Sequence, residues 1–114
     1  MHNNSKVWNA SMDLFKDIYS FLKLLPFEER YGLISQMSRC AVSIPSNIAE
    51  GSVRGHTKKH IQFLRYSQSS LKELETQYLL CLRLFDLSKN SSIESKLEQV
   101  SKQLSGLIKY LKSK

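Results

Sequence analysis

The stretch RCAVSIPSNIAEG, from Arg39 to Gly51, carries apolar residues at helical spacing with a proline in their midst. Ile44 and Ile48 continue the phase set by Met37, Cys40 and Ala41, so the helix is expected to pass through Pro45 rather than end before it. Proline there removes one backbone hydrogen bond, collides with the carbonyl of Ala41 and pushes Ile44 away from the helical region, a cost of about 3 kcal/mol. The expected result is a kink between Val42 and Pro45, with Ser43, Ser46 or water serving the freed carbonyls. Gly51 reads as the stop.

Working outward, the same periodicity defines three more helices. The first spans about 5–25 after a polar tail of residues 1–4, capped by Asn4 or Ser5. It carries two adjacent apolar stripes: Val7, Leu14, Ile18, Phe21, Leu25, and Trp8, Met12, Phe15, Tyr19, Leu22. Together they cover about half the circumference, wider than one core requires, so part of this face is expected to meet another subunit. Pro26 then opens the second helix, about 27–50. Thr57 is read as the cap of a third, about 57–87, whose segment YLLCLRLFDL (78–87) is expected to be buried nearly all round. Ser91 and Glu94 match a capping box at the start of the fourth, about 92–112, with Ile93, Leu97, Val100, Leu104, Leu107 and Leu111 in a strict seam and Gly106 weakening it slightly. No strand pattern occurs. Four helices joined by short loops predict an all-α, antiparallel up-down-up-down bundle in a single domain over residues 1–114.

Composition narrows the function. No apolar run approaches the roughly 18–20 residues of a membrane span, and the N-terminus lacks a signal pattern, so no membrane and a cytoplasmic location are expected. Cys40 and Cys81 sit among apolar residues and read as free buried thiols. The net charge of +7 lies wholly in residues 51–114, which hold twelve basic and five acidic side chains against five of each in residues 1–50. That asymmetry fits either a polyanion-facing surface or a solvated lysine-rich face.

The polar residues fall into two groups. Gln36, Arg39, Ser43, Asn47 and Glu50 line one edge of the second helix, and Tyr66, Ser70, Glu73 and Gln77 line a matching edge of the third. If the edges face each other, Arg39 can pair with Glu73, and Asn47 can bridge to backbone or to Ser70. The stretch Arg39 to Gly51, Pro45 included, then acts as a structural lock. Arg39, Glu50 and Glu73 can be imagined as a hydrolytic set, but no nucleophile–base pattern accompanies them, and no cofactor or metal is implied. His56 and His60 are four apart, yet Lys58 and Lys59 between them repel a cation. The second group is basic: Arg54, His56, Lys58, Lys59, His60 and Arg65, with Lys72 continuing the face of Arg65. Arg54, Lys58, Lys59, Arg65 and Lys72 are the candidate contacts to a nucleic-acid backbone, and Lys102, Lys109, Lys112 and Lys114 form a second candidate patch. The aromatic residues are not read as part of either group, so stacking on bases is not indicated.

The string Gln36-x-x-Arg39-x-x-x-Ser43-Ile44-Pro45-x-Asn47-Ile48-Ala49-Glu50-Gly51, followed by Phe63-Leu64 and Ser69-Ser70-Leu71-x-Glu73, resembles a bacterial four-helix-bundle family encoded by intervening sequences in large-subunit ribosomal RNA genes. The accessory proteins of diversity-generating retroelements look related. The resemblance spans about residues 7–111. It implies homo-oligomers, barrel-shaped pentamers in particular, with basic surfaces for RNA or DNA and no catalytic residues. In the retroelement branch it implies a reverse transcriptase as partner. The expected function is therefore a non-catalytic, homo-oligomeric nucleic-acid-binding accessory protein. The alternative is a protein–protein scaffold, such as a polymerase accessory subunit.

Overall fold

Each stretch with helical periodicity is a helix in the computed structural model, which describes residues 2–114, with side chains from Asn4 onward. The helices are α1 (His2–Leu22), α2 (Leu33–Ser52), α3 (Thr57–Leu84) and α4 (Ser91–Lys112), with one 3₁₀ turn at Phe27–Glu29. No strand occurs among the described residues. α1 and α3 each pack against both α2 and α4, and stand diagonally to one another, which makes a four-helix bundle. The core follows the expected phases: Val7, Leu14, Ile18 and Phe21 of α1, Met37, Ile44 and Ile48 of α2, Leu64, Leu71, Leu74 and Tyr78 of α3, and the whole seam of α4 are buried.

Several boundaries differ from the sequence reading, each for a local reason. The helix α1 already includes Asn4, which therefore caps nothing; its side chain is buried against other helices instead. The helix ends at Leu22, and Leu24 and Leu25 close tight turns back to Phe21 and Leu22 at 2.9 and 3.2 Å. Pro26 leads into the 3₁₀ turn rather than into α2. Gly32 then departs from helical geometry (φ −105°, ψ −110°), and the Glu29 carboxylate accepts from the Leu33 N–H at 3.3 Å, so α2 starts six residues later than expected. The helix α3 is preceded by extended His56, not capped by Thr57. It stops at Leu84 because Asp86 takes a left-handed φ of 54°, a conformation that aspartate tolerates better than most residues. At α4 the cap is Asn90, whose Oδ1 accepts from the Ile93 N–H at 2.9 Å. The Ser91–Glu94 box does not form, because Glu94 accepts from the Tyr78 hydroxyl at 2.9 Å.

The segment 78–87 is not buried all round. Leu79, Leu80 and Leu84 remain 48, 46 and 63% exposed. The second stripe of α1 is likewise uncovered at Trp8, Met12 and Tyr19, while Leu22 is buried. No helix is long and apolar enough to cross a membrane.

Candidate nucleic-acid interface

Beside the apolar core, α2 and α3 are joined by a set of small and polar side chains. Helix α2 runs unbroken through the buried Pro45. Ser43 Oγ lies 2.8 Å from the Cys40 carbonyl and 2.6 Å from Ser70 Oγ. A serine hydroxyl has one proton, so Ser43 donates to Cys40 and accepts from Ser70. Ser67, fully buried, donates to the Ile44 carbonyl at 2.9 Å, and the Cys40 thiol donates to the Ser70 carbonyl at 3.0 Å. Among the carbonyls around Ala41, that of Cys40 is served by Ser43, one of the expected donors, and that of Ile44 by Ser67 of α3, which the sequence reading did not name. Asn47 turns back on its own helix, donating to the Ser43 carbonyl at 2.8 Å, rather than bridging to Ser70.

Gly51 is no stop. It lies inside α2, buried, where an added Cβ would come within 2.9 Å of Phe63 Cβ and 3.2 Å of the His60 carbonyl. The glycine is there because α2 and α3 touch backbone to backbone at this point. Arg39 and Glu73 do not pair: neither joins an ion pair among the described residues. They flank a surface groove with Gln36, Cys40, Ser43 and Ser70. Burial, with the nearby Glu73 charge, pushes the Cys40 thiol up to about 12, which favours its protonated form at neutral pH. Cys81, buried against Met37, is pushed up to about 11 in the same way by burial and by the charge of Glu29. Both cysteines are free.

Just beyond Gly51 the chain enters the basic segment. His60 is buried, with Nε2 3.1 Å from Asn4 Oδ1, while Asn4 Nδ2 donates to the Ile48 carbonyl at 3.5 Å. Asn4 Oδ1 is thus the acceptor, and Nε2 carries the proton. Burial, and secondarily the Lys114 charge, push the imidazole below its ordinary pKa. His60 therefore belongs to the core of this end, not to the cationic surface, and it ties the start of α1 to α2 and α3. The Lys114 charge acts on His60, so the end of α4 comes near the start of α3, and Lys109, Lys112 and Lys114 share this end with Lys58 and Lys59, whereas Lys72 and Lys102 lie elsewhere.

The charges there are unequal to those elsewhere. Residues 4–8, 46–62 and 106–114, which form this end, hold seven lysines and arginines and the single acid Glu50. Residues 17–36 and 78–95, at the opposite end, hold four basic and five acidic residues. There the exposed charges are balanced, and Asp17 clamps α1 to α4. Burial opposes its charge, but hydrogen bonds from Lys96 (2.7 Å) and Ser92 (2.5 Å) outweigh it and hold the carboxyl below the usual range.

The five candidate contacts are not equivalent. Lys58 and Lys59 are exposed on the first turn of α3, and Lys59 Nζ donates to Gln62 at 3.1 Å. Arg65 projects two turns on and lines the same surface depression as both lysines. Arg54 is committed: it pairs with Glu50 and lies 4.7 Å from the Phe63 ring centroid, the position of a cation–π contact. Lys72 pairs with Glu75 at 3.4 Å and faces a groove that also holds Glu94 and Glu98, so it adds little to the positive field. One contributor was missed. Tyr66 is 46% exposed and lines the depression with Lys58, Lys59 and Arg65, so an aromatic ring does lie among the cations. The signal is present in the sequence, where Tyr66 directly follows Arg65, but the sequence reading assigns the residue only to the polar edge of α3.

These features define a class: an all-α four-helix bundle with its excess positive charge gathered at one end. A family model described as 23S rRNA-intervening sequence protein matches residues 3–106, and the chain belongs to that family. A comparison with curated proteins gives no match.

Proposed function

We propose that the chain is a non-catalytic, homo-oligomeric protein that binds the backbone of RNA or DNA through the basic end of its bundle. The observation that carries this reading is the gathering of Lys6, Lys58, Lys59, Lys109, Lys112 and Lys114 at one end with a single acid, Glu50, already neutralised by Arg54. Such a concentration of charge attracts a polyanion and releases its counterions. The bundle is read as antiparallel, up-down-up-down, bent at Pro45 and located in the cytoplasm. Self-association is favoured by the uncovered stripe Trp8, Met12 and Tyr19 on α1, and the pentameric barrel is the assembly that the family resemblance implies. Binding measured by anisotropy of labelled RNA and duplex DNA should weaken linearly in log–log form as salt rises. Affinity that is absent at low salt would refute the reading, and light scattering that finds a stable monomer would refute the assembly.

A second reading, a scaffold for a protein partner such as a reverse transcriptase, is favoured by one observation. Leu80 and Leu84 stay exposed on α3, away from both α1 and the basic end. Nuclease-treated extract separates the two readings, because a protein partner survives the treatment.

A further inference from the structure

The basic depression on α3 is more than a set of cations. Tyr66 is fixed within it: its ring meets Phe63 edge-on, with centroids 5.5 Å apart and planes at 83°. Phe63 is held in turn, with the Arg54 guanidinium over its ring and Arg54 paired with Glu50. The ring of Tyr66 is therefore pre-oriented by its neighbours while nearly half of its surface stays in water. Arg65 is adjacent in sequence, and Lys59 lies seven residues back, about 10.5 Å along the helix axis. A flat, pre-oriented ring flanked by cations within that span suits an unpaired base and its neighbouring phosphates, because stacking needs the open π-face of a base and a duplex hides it.

We propose that Tyr66 is a stacking platform for the bases of a single-stranded nucleic acid, whose phosphates lie on Lys58, Lys59 and Arg65. The proposal rests on the reading of the basic end as a nucleic-acid site and makes it specific: single strands over duplex, through base faces as well as phosphates. RNA and DNA share this chemistry, since the ring makes no contact that depends on the sugar.

The test uses the intact protein and four labelled probes of equal length at one salt concentration: a single-stranded RNA, the DNA strand of the same sequence, the corresponding DNA duplex, and an abasic DNA strand. The expected result is tighter binding of both single strands than of the duplex or the abasic strand. Tyr66→Ala and Tyr66→Leu should each weaken the single strands by about tenfold, leave the abasic strand unchanged, and be matched by no loss in Tyr66→Phe. An RNA strand bound more tightly than its DNA equivalent, with the same Tyr66 dependence, adds a 2′-hydroxyl contact and keeps the platform. Equal binding of base-bearing and abasic strands, or indifference to Tyr66→Ala, overturns the platform while leaving backbone binding in place. Failure of every probe to bind at low salt overturns the backbone reading and the platform with it.

Discussion

At Gly51 a single missing methyl decides how closely α2 and α3 approach. A Cβ there meets Phe63 Cβ at 2.9 Å, and Phe63 cannot retreat without moving Arg54 and Tyr66. Gly51→Ala is therefore expected to cost about 1–3 kcal/mol, read as a lower urea midpoint with an unchanged slope. His60 makes a pH-dependent contribution. Its folded pKa lies below the ordinary value, so the folded state binds the proton less readily than the unfolded chain does. Its stabilisation is complete above about pH 6.5 and is lost as pH falls below that value. His60→Gln, which keeps a donor for Asn4, should flatten the decline in thermal midpoint on acidification. Sequence alone exposed part of this. The polar edges foretold that Ser70 would meet α2, because both edges lie beside an apolar arc, but not that its partner would be Ser43 rather than Asn47. They could not foretell Ser67 or His60, whose polar groups sit on the apolar face and find partners 23 and 56 residues away. Nor could they say why residue 51 is glycine, since a helix stop and a backbone contact both call for a missing Cβ.

At the scale of elements, helix identity and phase were legible and the ends were not. A period of 3.6 extends over many residues, whereas an end depends on one or two local bonds. Glu29 and Gly32 delay α2, and Asn90 displaces the expected capping box of α4. That last case follows from Tyr78, which is buried on α3, accepts from the Asn90 N–H at 2.7 Å and donates to Glu94. The one hydroxyl thus joins α3, the turn and α4. Tyr78→Phe leaves the Asn90 N–H without its partner and should lower stability by about 1–3 kcal/mol in urea denaturation, while leaving nucleic-acid affinity at the far end unchanged. The leucines at 79, 80 and 84 were misjudged because hydrophobicity on every side of a helix signals burial without naming what buries it. One bundle covers only the face toward α2 and α4.

At the scale of the molecule, the excess charge was visible as a difference between sequence halves, but its location was not. Lys6 comes from the neutral half, and Lys109, Lys112 and Lys114 lie about fifty residues beyond Lys58; folding brings them to one end. Lys72 and Lys102, which looked equivalent in sequence, are paired with Glu75 and Glu98 along the side of the bundle. The central claim is that the position of the charge, rather than its total, makes the binding surface. Two triple variants test it most directly, Lys58→Glu/Lys59→Glu/Arg65→Glu and Lys23→Glu/Arg30→Glu/Lys89→Glu, which carry the same net charge on opposite ends. Titrated against one single-stranded RNA at low salt, the first is predicted to lose binding and the second to keep affinity near that of the unmodified protein. Equal loss in both, or undiminished binding in the first, would contradict the account.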